Sequence, residues 1–198
     1  MKNTLWAGID YGSKMAGTTV IAMLDPDERI VFRQSEKKKD ADQFVLQWVK
    51  EQKKPFPLFL DAPLSLPLVY RNAEKGDDYF YRQADRAVQA MSPMFLGGLT
   101  ARAMRLHRQL DKMGCAVHEV YPGYLARKWQ LKDRGYKNQK QHIPAVVEAI
   151  NTHQPFSFLR APENWHQVDA LLAFLSGYRF FRQEHLQFGS SAEGYIIV

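Results

Sequence analysis

The apolar positions of this chain follow two rhythms. Short apolar runs dominate the start. Residues 4–9 (TLWAGI) are an apolar run closed by Asp10, and Gly12-Ser13-Lys14 supplies a turn, which together predict a buried strand and a reversal. Residues 17–24 (GTTVIAML), rich in β-branched side chains, predict a second strand. Asp25-Pro26-Asp27 turns the chain into a third, residues 29–34 (RIVFRQ). Strands joined by such short turns predict an antiparallel meander. A helical rhythm follows. Asp40 and Gln43 have capping-box spacing, and Phe44, Val45, Trp48 and Val49 share one face up to the stop at Pro55. Residues 57–60 (PLFL) then read as a fourth strand running into Asp61-Ala62-Pro63. A helix between two strands implies a crossover, so this strand is expected parallel to the first.

Residues 64–99 have no clean period. Asp77 to Met91 reads as helical and aromatic, with Pro93 and Gly97-Gly98 as breaks. Thr100 is expected to cap a helix that Gly114 terminates. Residues 115–121 (CAVHEVY) predict a fifth strand ending at Pro122-Gly123, and helices are expected at 143–152 and 164–183, the latter opened by Asn164 and Gln167. The tail, Gln187 to Val198, predicts a strand pair turned at Gly189-Ser190, with residues 196–198 as the last strand. The order β-β-β-α-β-α-β-α predicts an α/β fold: a mixed five-stranded sheet with helices on both faces and a helical insertion at about 64–114, between the fourth and fifth strands.

Length adds that this is one domain, residues 1–198, large enough to bury a core without staples. No apolar run reaches the ~18 residues of a membrane helix, and the first one is cut by Asp10 too early for a signal peptide. The single cysteine, Cys115, permits no internal disulfide and is expected to be a buried small hydrophobe. A cytoplasmic protein without a membrane partner is the expectation, with the oligomeric state left open.

The formal net charge is +6, spread over Lys37-Lys38-Lys39, over Arg102, Arg105, Arg108 and Lys112, and over Arg127, Lys128, Lys132, Arg134, Lys137 and Lys140. This balance favours an anionic partner such as nucleic acid, although charge alone fits solvated helix faces equally well. Within this basic chain, Asp10, Asp61, Glu119 and Asp169 stand apart. The first three end, or nearly end, strands expected to be parallel neighbours, and open α/β sheets place their sites at those strand ends. Asp169 lies one turn inside the last helix, on the face of Leu172, Ala173 and Ser176. An ionised carboxylate on a partly apolar face is costly unless paired or metal-bound. Carboxylates gathered this way need protons or cations to neutralise them, and hard oxygen ligands suit Mg²⁺ or Mn²⁺. Each acid also has a plainer reading: Asp10 and Asp61 as turn residues, Glu119 as a salt-bridge partner. His118 and His166 read as surface or hydrogen-bonded histidines, and no Cys/His spacing points to zinc. Gly97-Gly98-Leu99-Thr100 reads equally as a phosphate-binding helix start and as a plain one.

The segments GIDYGS, FLDAPLSLP, YRQADR, HEVYPG and HQVDALLAF occur in that order, followed by the closing FGSSAEGYIIV. Taken together they resemble the bacterial and archaeal predicted RNase H-like nucleases, domain of unknown function 429, over nearly the whole chain. The resemblance implies the fold of RNase H, resolvases and transposases. It implies a metal-dependent nuclease whose catalytic and metal-holding acids are Asp10, Asp61, Glu119 and Asp169. Arg82 and Asp85 match a further motif of that family. Lys14, Arg82 and Arg102 are expected at the substrate phosphates, with Asp85 beside Arg82. Two other functions compete: a phosphotransferase of the actin–sugar kinase type, which requires two such domains around a nucleotide, and a non-catalytic module binding nucleic acid or a metabolite.

Overall fold

The structure is a computed structural model describing residues 5–198. Its scaffold is a mixed sheet. β1 (Ala7–Asp10), β2 (Val20–Leu24) and β3 (Ile30–Gln34) form the antiparallel meander. α1 (Ala41–Lys50) crosses to β4 (Leu58–Asp61), parallel to β1. An irregular insertion holds two short helices, α2 (Gln83–Val88) and α3 (Pro93–Leu96), before the long α4 (Gly98–Lys112). β5 (Val117–Val120) runs parallel to β4. Then come α5 (Pro122–Lys128), α6 (Ile143–Asn151), α7 (Trp165–Phe181) and a closing hairpin of β6 (Gln187–Ser190) and β7 (Gly194–Ile197).

The sheet order is β3-β2-β1-β4-β5-β7-β6, so the expected five strands become seven. The tail hairpin does not stand apart. β7 pairs parallel with β5, Glu119 opposite Ile196 and Val120 opposite Ile197. This buries Ile196 and Ile197 and covers an edge that would otherwise present unpaired backbone groups. The first strand, expected over 4–9, is observed from Ala7, and Thr4 lies outside the described residues.

Strand alternation divides the interior. Ala7, Ile9, Ile21, Leu58 and Leu60 face one core, shared with α1 and α4. Trp6, Val20, Ala22 and Phe59 face the other, shared with α5, α6 and α7. Helix α7 is buried at every residue from Val168 to Tyr178, as a helix enclosed on all sides must be. It lies directly on β1: a Cβ added at Gly8 would fall 1.9 Å from the Phe174 backbone nitrogen.

The helix starts expected at Asp40 and Asn164 are present. Asp40 accepts hydrogen bonds from the Asp42 and Gln43 amides, and Asn164 from the Gln167 amide. Three expectations change. The helix expected over 77–91 shrinks to α2, because the Asp78 carboxylate accepts from the Phe80 and Tyr81 amides and ties the chain into a turn. Helix α4 begins at Gly98, and the Thr100 hydroxyl instead donates to the Pro93 carbonyl at 2.7 Å. Pro122 opens α5 where only a stop was expected, since proline is well suited to a first helical position. Among the described residues no helix is long and apolar enough to cross a membrane.

Candidate functional site

Asp10 and Asp61 end neighbouring parallel strands and are register partners. Adjacent strands lie about 4.8 Å apart, and both carboxylates share the face of Gly8 and Phe59, the one covered by α7. Asp169, buried one turn into α7, meets them from above. The three charges act on one another. Burial pushes the Asp10 carboxyl up, against a hydrogen bond from His166, and Asp169 raises it further. Burial also raises Asp61, well above the usual carboxylate range, with Asp10 and Asp169 adding to the effect.

Two basic side chains meet this cluster. His166 Nδ1 is 2.8 Å from Asp10 Oδ2. The hydrogen bond to that carboxylate raises the imidazole pKa, with burial acting against it. The Lys137 ammonium lies 2.8 Å from Asp169 Oδ2, and the Tyr136 hydroxyl donates to Asp169 Oδ1. Burial lowers the Lys137 pKa, but Asp169, Asp61 and Asp10 together raise it overall. Asp61 is different. No hydrogen bond or ion pair reaches its carboxylate among the described residues; burial and neighbouring charge alone act on it.

Glu119 is out of phase with the other strand acids. It pairs with Leu60, not Asp61, and the period of two turns its side chain to the opposite face. There it binds Arg82 through both oxygens, at 2.5 and 2.8 Å, and accepts the Leu64 amide at 2.8 Å. Arg82 is fully buried and also pairs with Asp85 at 2.6 Å. The phosphate role expected for Arg82 and Asp85 is therefore corrected: a guanidinium with no exposed surface and two carboxylate partners clamps the insertion to β5. Glu193, from the β6–β7 turn, reinforces the clamp by accepting the Leu68 and Gln83 amides.

Arg102 and Lys14 are also engaged. Arg102 donates to Asp42 at 2.6 Å and to the Gly12 carbonyl at 3.1 Å, and lies 4.7 Å over the Tyr11 ring. The Tyr11 hydroxyl donates to the same Asp42 at 2.5 Å. Arg102 thus braces the loop after Asp10. Lys14 pairs with Asp40, the cap of α1, at 3.2 Å. His118 is stacked between Phe59 and Phe180.

A cleft of about 320 Å³ opens over the strand ends. Asp10, Asp61 and Glu119 line its floor, and Met91, Leu96, Leu99 and Tyr121 its walls. Sequence reasoning overlooked His166, Lys137 and Tyr136 as site members. His166 was legible, three residues before Asp169 and hence on its face. Lys137 and Tyr136 come from a loop whose position carries no local signal.

The donor set is hard oxygen, which suits Mg²⁺ or Mn²⁺. Among the described residues no group of three His, Cys, Asp or Glu side chains forms a ready-made metal site; Lys137 and His166 hold Asp169 and Asp10 instead. Both are about half exposed, and Asp61 has no partner to lose. An ion bound by Asp10, Asp61 and Asp169 would have to displace both Lys137 and His166. Fold and site together define an α/β protein with an acidic recess at its strand ends. No protein-family model and no curated protein sequence matches this chain.

Proposed function

We propose that this chain is a divalent-metal-dependent hydrolase of RNase H-like fold that cleaves phosphodiesters in nucleic acid. One observation supports it above the others: Asp61, a strand-end carboxylate flanked by Asp10 and Asp169, has no hydrogen bond or cation of its own. Asp61 is half-buried, a carboxylate crowded by like charges without a partner is costly, and a protein retains such a cost where a ligand relieves it. Asp10, Asp61 and Asp169 would hold the ion. When bound, it supplies a polarised phosphoryl oxygen and a more acidic water. His166 keeps a proton at Nδ1 against Asp10, Lys137 offers positive charge to a phosphate at the rim, and the apolar cleft walls limit access of bulk water. The meander-then-crossover order, the motifs in sequence and the basic balance of the chain support the same reading.

The test is hydrolysis of labelled single- and double-stranded DNA and RNA, hybrids and junctions with Mg²⁺, Mn²⁺ or Ca²⁺. Cleavage is expected with the first two ions, little turnover with Ca²⁺, and none with Asp61→Asn or Asp169→Asn. Absence of both cleavage and salt-sensitive binding across the panel would overturn the reading.

A further inference from the structure

The surface beside the cleft is divided by chemistry. Tyr70, Tyr79, Phe80, Met91 and Phe95 make up half of the large hydrophobic side chains exposed among the described residues, and all lie in the insertion. They form a ridge. Phe95, 63% exposed, packs 5.5 Å from Phe80 and 6.0 Å from Tyr81, and Tyr79 meets Tyr70 edge-on at 6.1 Å. The ridge runs into the cleft, since Met91 and Leu96, on either side of Phe95, line its wall. Its charge is balanced: Arg71, Lys75, Arg82 and Arg86 stand against Glu74, Asp77, Asp78 and Asp85. Arg82 and Arg86 are paired with its own acids Asp85 and Asp78, and exposed aromatic faces of this extent are unusual on a surface without a partner.

The segment that follows β5, from the end of α5 onward, is the reverse. Residues 127–140 carry Arg127, Lys128, Lys132, Arg134, Lys137 and Lys140 against a single acid, Asp133. Lys128, Lys132, Arg134 and Lys140 are exposed and have no ion pair among the described residues. The segment delivers Lys137 to Asp169. At its start, Arg127 donates to the Val88 carbonyl of α2 and lies 5.6 Å over the Tyr121 ring in the cleft wall. The basic strap therefore touches both the carboxylates, through Lys137, and the insertion that carries the ridge, through Arg127.

We propose that the site takes single-stranded nucleic acid, its bases stacked on the insertion ridge and its phosphates held by the 127–140 strap. This rests on the hydrolase reading for the strand's passage over Asp10 and Asp61. The physical argument is one of exposed faces. Aromatic side chains bind bases by their π-faces, which an unpaired strand presents and a duplex hides in its stack. Duplex reading uses a protruding helix or ribbon with polar side chains in a groove; here the acids lie in a recess walled by Leu96, Leu99, Met91 and Tyr121. Neutral aromatic surface on one side and unpaired cations on the other match the two chemistries of a single strand.

The experiment is fluorescence anisotropy on the full chain carrying Asp61→Asn, in EDTA, with a labelled unstructured oligonucleotide and its fully paired duplex. The single strand should bind at least about tenfold tighter. Adding Tyr79→Ala with Phe95→Ala should weaken single-strand binding about tenfold or more without changing its salt dependence. Lys132→Ala with Arg134→Ala should instead flatten the salt dependence. All four side chains are exposed, and circular dichroism checks that the variants fold. Equal or tighter duplex binding, or a ridge variant that binds normally, overturns the inference. The wild-type protein with Mn²⁺ separates the two readings. Cleavage confined to duplex overturns this inference and leaves the hydrolase standing. Single-strand binding without cleavage overturns the hydrolase and leaves the ridge. Failure to bind any nucleic acid overturns both and makes the ridge a protein contact.

Discussion

Asp10 and Asp61 are register partners at the ends of adjacent parallel strands, with both carboxylates on the face that α7 covers. Strand pairing sets the two acids side by side, and the Asp10 charge raises the Asp61 pKa. The two differ in support, for Asp10 has His166 and Asp61 has nothing.

Asp61→Asn should therefore stabilise the metal-free protein at neutral pH. The folded-state pKa of Asp61 lies well above its ordinary value of 3.8, so between those values the folded state binds more protons than the unfolded one. Stability falls as pH rises through that window. The variant's advantage should vanish below the ordinary value and grow as pH rises through that window, as read from denaturant midpoints across pH. Asp10→Asn should gain less, because it also weakens the bond to His166. A destabilised Asp61→Asn protein would mark Asp61 as a structural acceptor.

Arg82→Met should cost about 3–5 kcal/mol of folding stability, since it leaves Glu119 and Asp85 buried without their cation. Combining it with Asp85→Asn and Glu119→Gln should recover part of the loss. Urea denaturation of the single and triple variants checks both; a loss under about 1 kcal/mol would show the clamp to be solvent-relaxed.

Lys137→Ala should tighten Mn²⁺ binding, because the ammonium on Asp169 occupies the charge an ion would use. Calorimetric titration of both proteins gives the comparison. Unchanged affinity would mean that the ion, if bound, does not involve Asp169.

His166 should titrate above the ordinary histidine value of 6.5, as its bond to Asp10 requires. Its contribution to stability is full below that value and is lost as pH rises through the folded-state pKa. Histidine NMR should place it above His118 and His153, whose burial lowers them, and show it falling in Asp10→Asn. An unshifted His166 would remove the ion pair from the site.

The sequence by itself determined the elements whose causes are local. Capping at Asp40 and Asn164, the β-branched run of β2 and the helix forcing β4 parallel to β1 are set by neighbouring residues, and each is found. Strand ends and one helix face also bring Asp10, Asp61 and Asp169 near enough for their charges to act on one another. Tertiary structure decided the rest. Whether Glu119 joins Asp61 or turns away depends on a one-residue register between β4 and β5, which no local pattern encodes. Whether Arg82 meets a phosphate or a buried carboxylate depends on how an irregular insertion folds back, fixed by Glu193 more than a hundred residues later. The tail became two strands of the main sheet because β5 had an open edge to cover. Lys137 reached Asp169 because a loop passes over α7. Each of these is a contact between segments distant in the chain, chosen by packing and charge neutralisation rather than by the residues on either side.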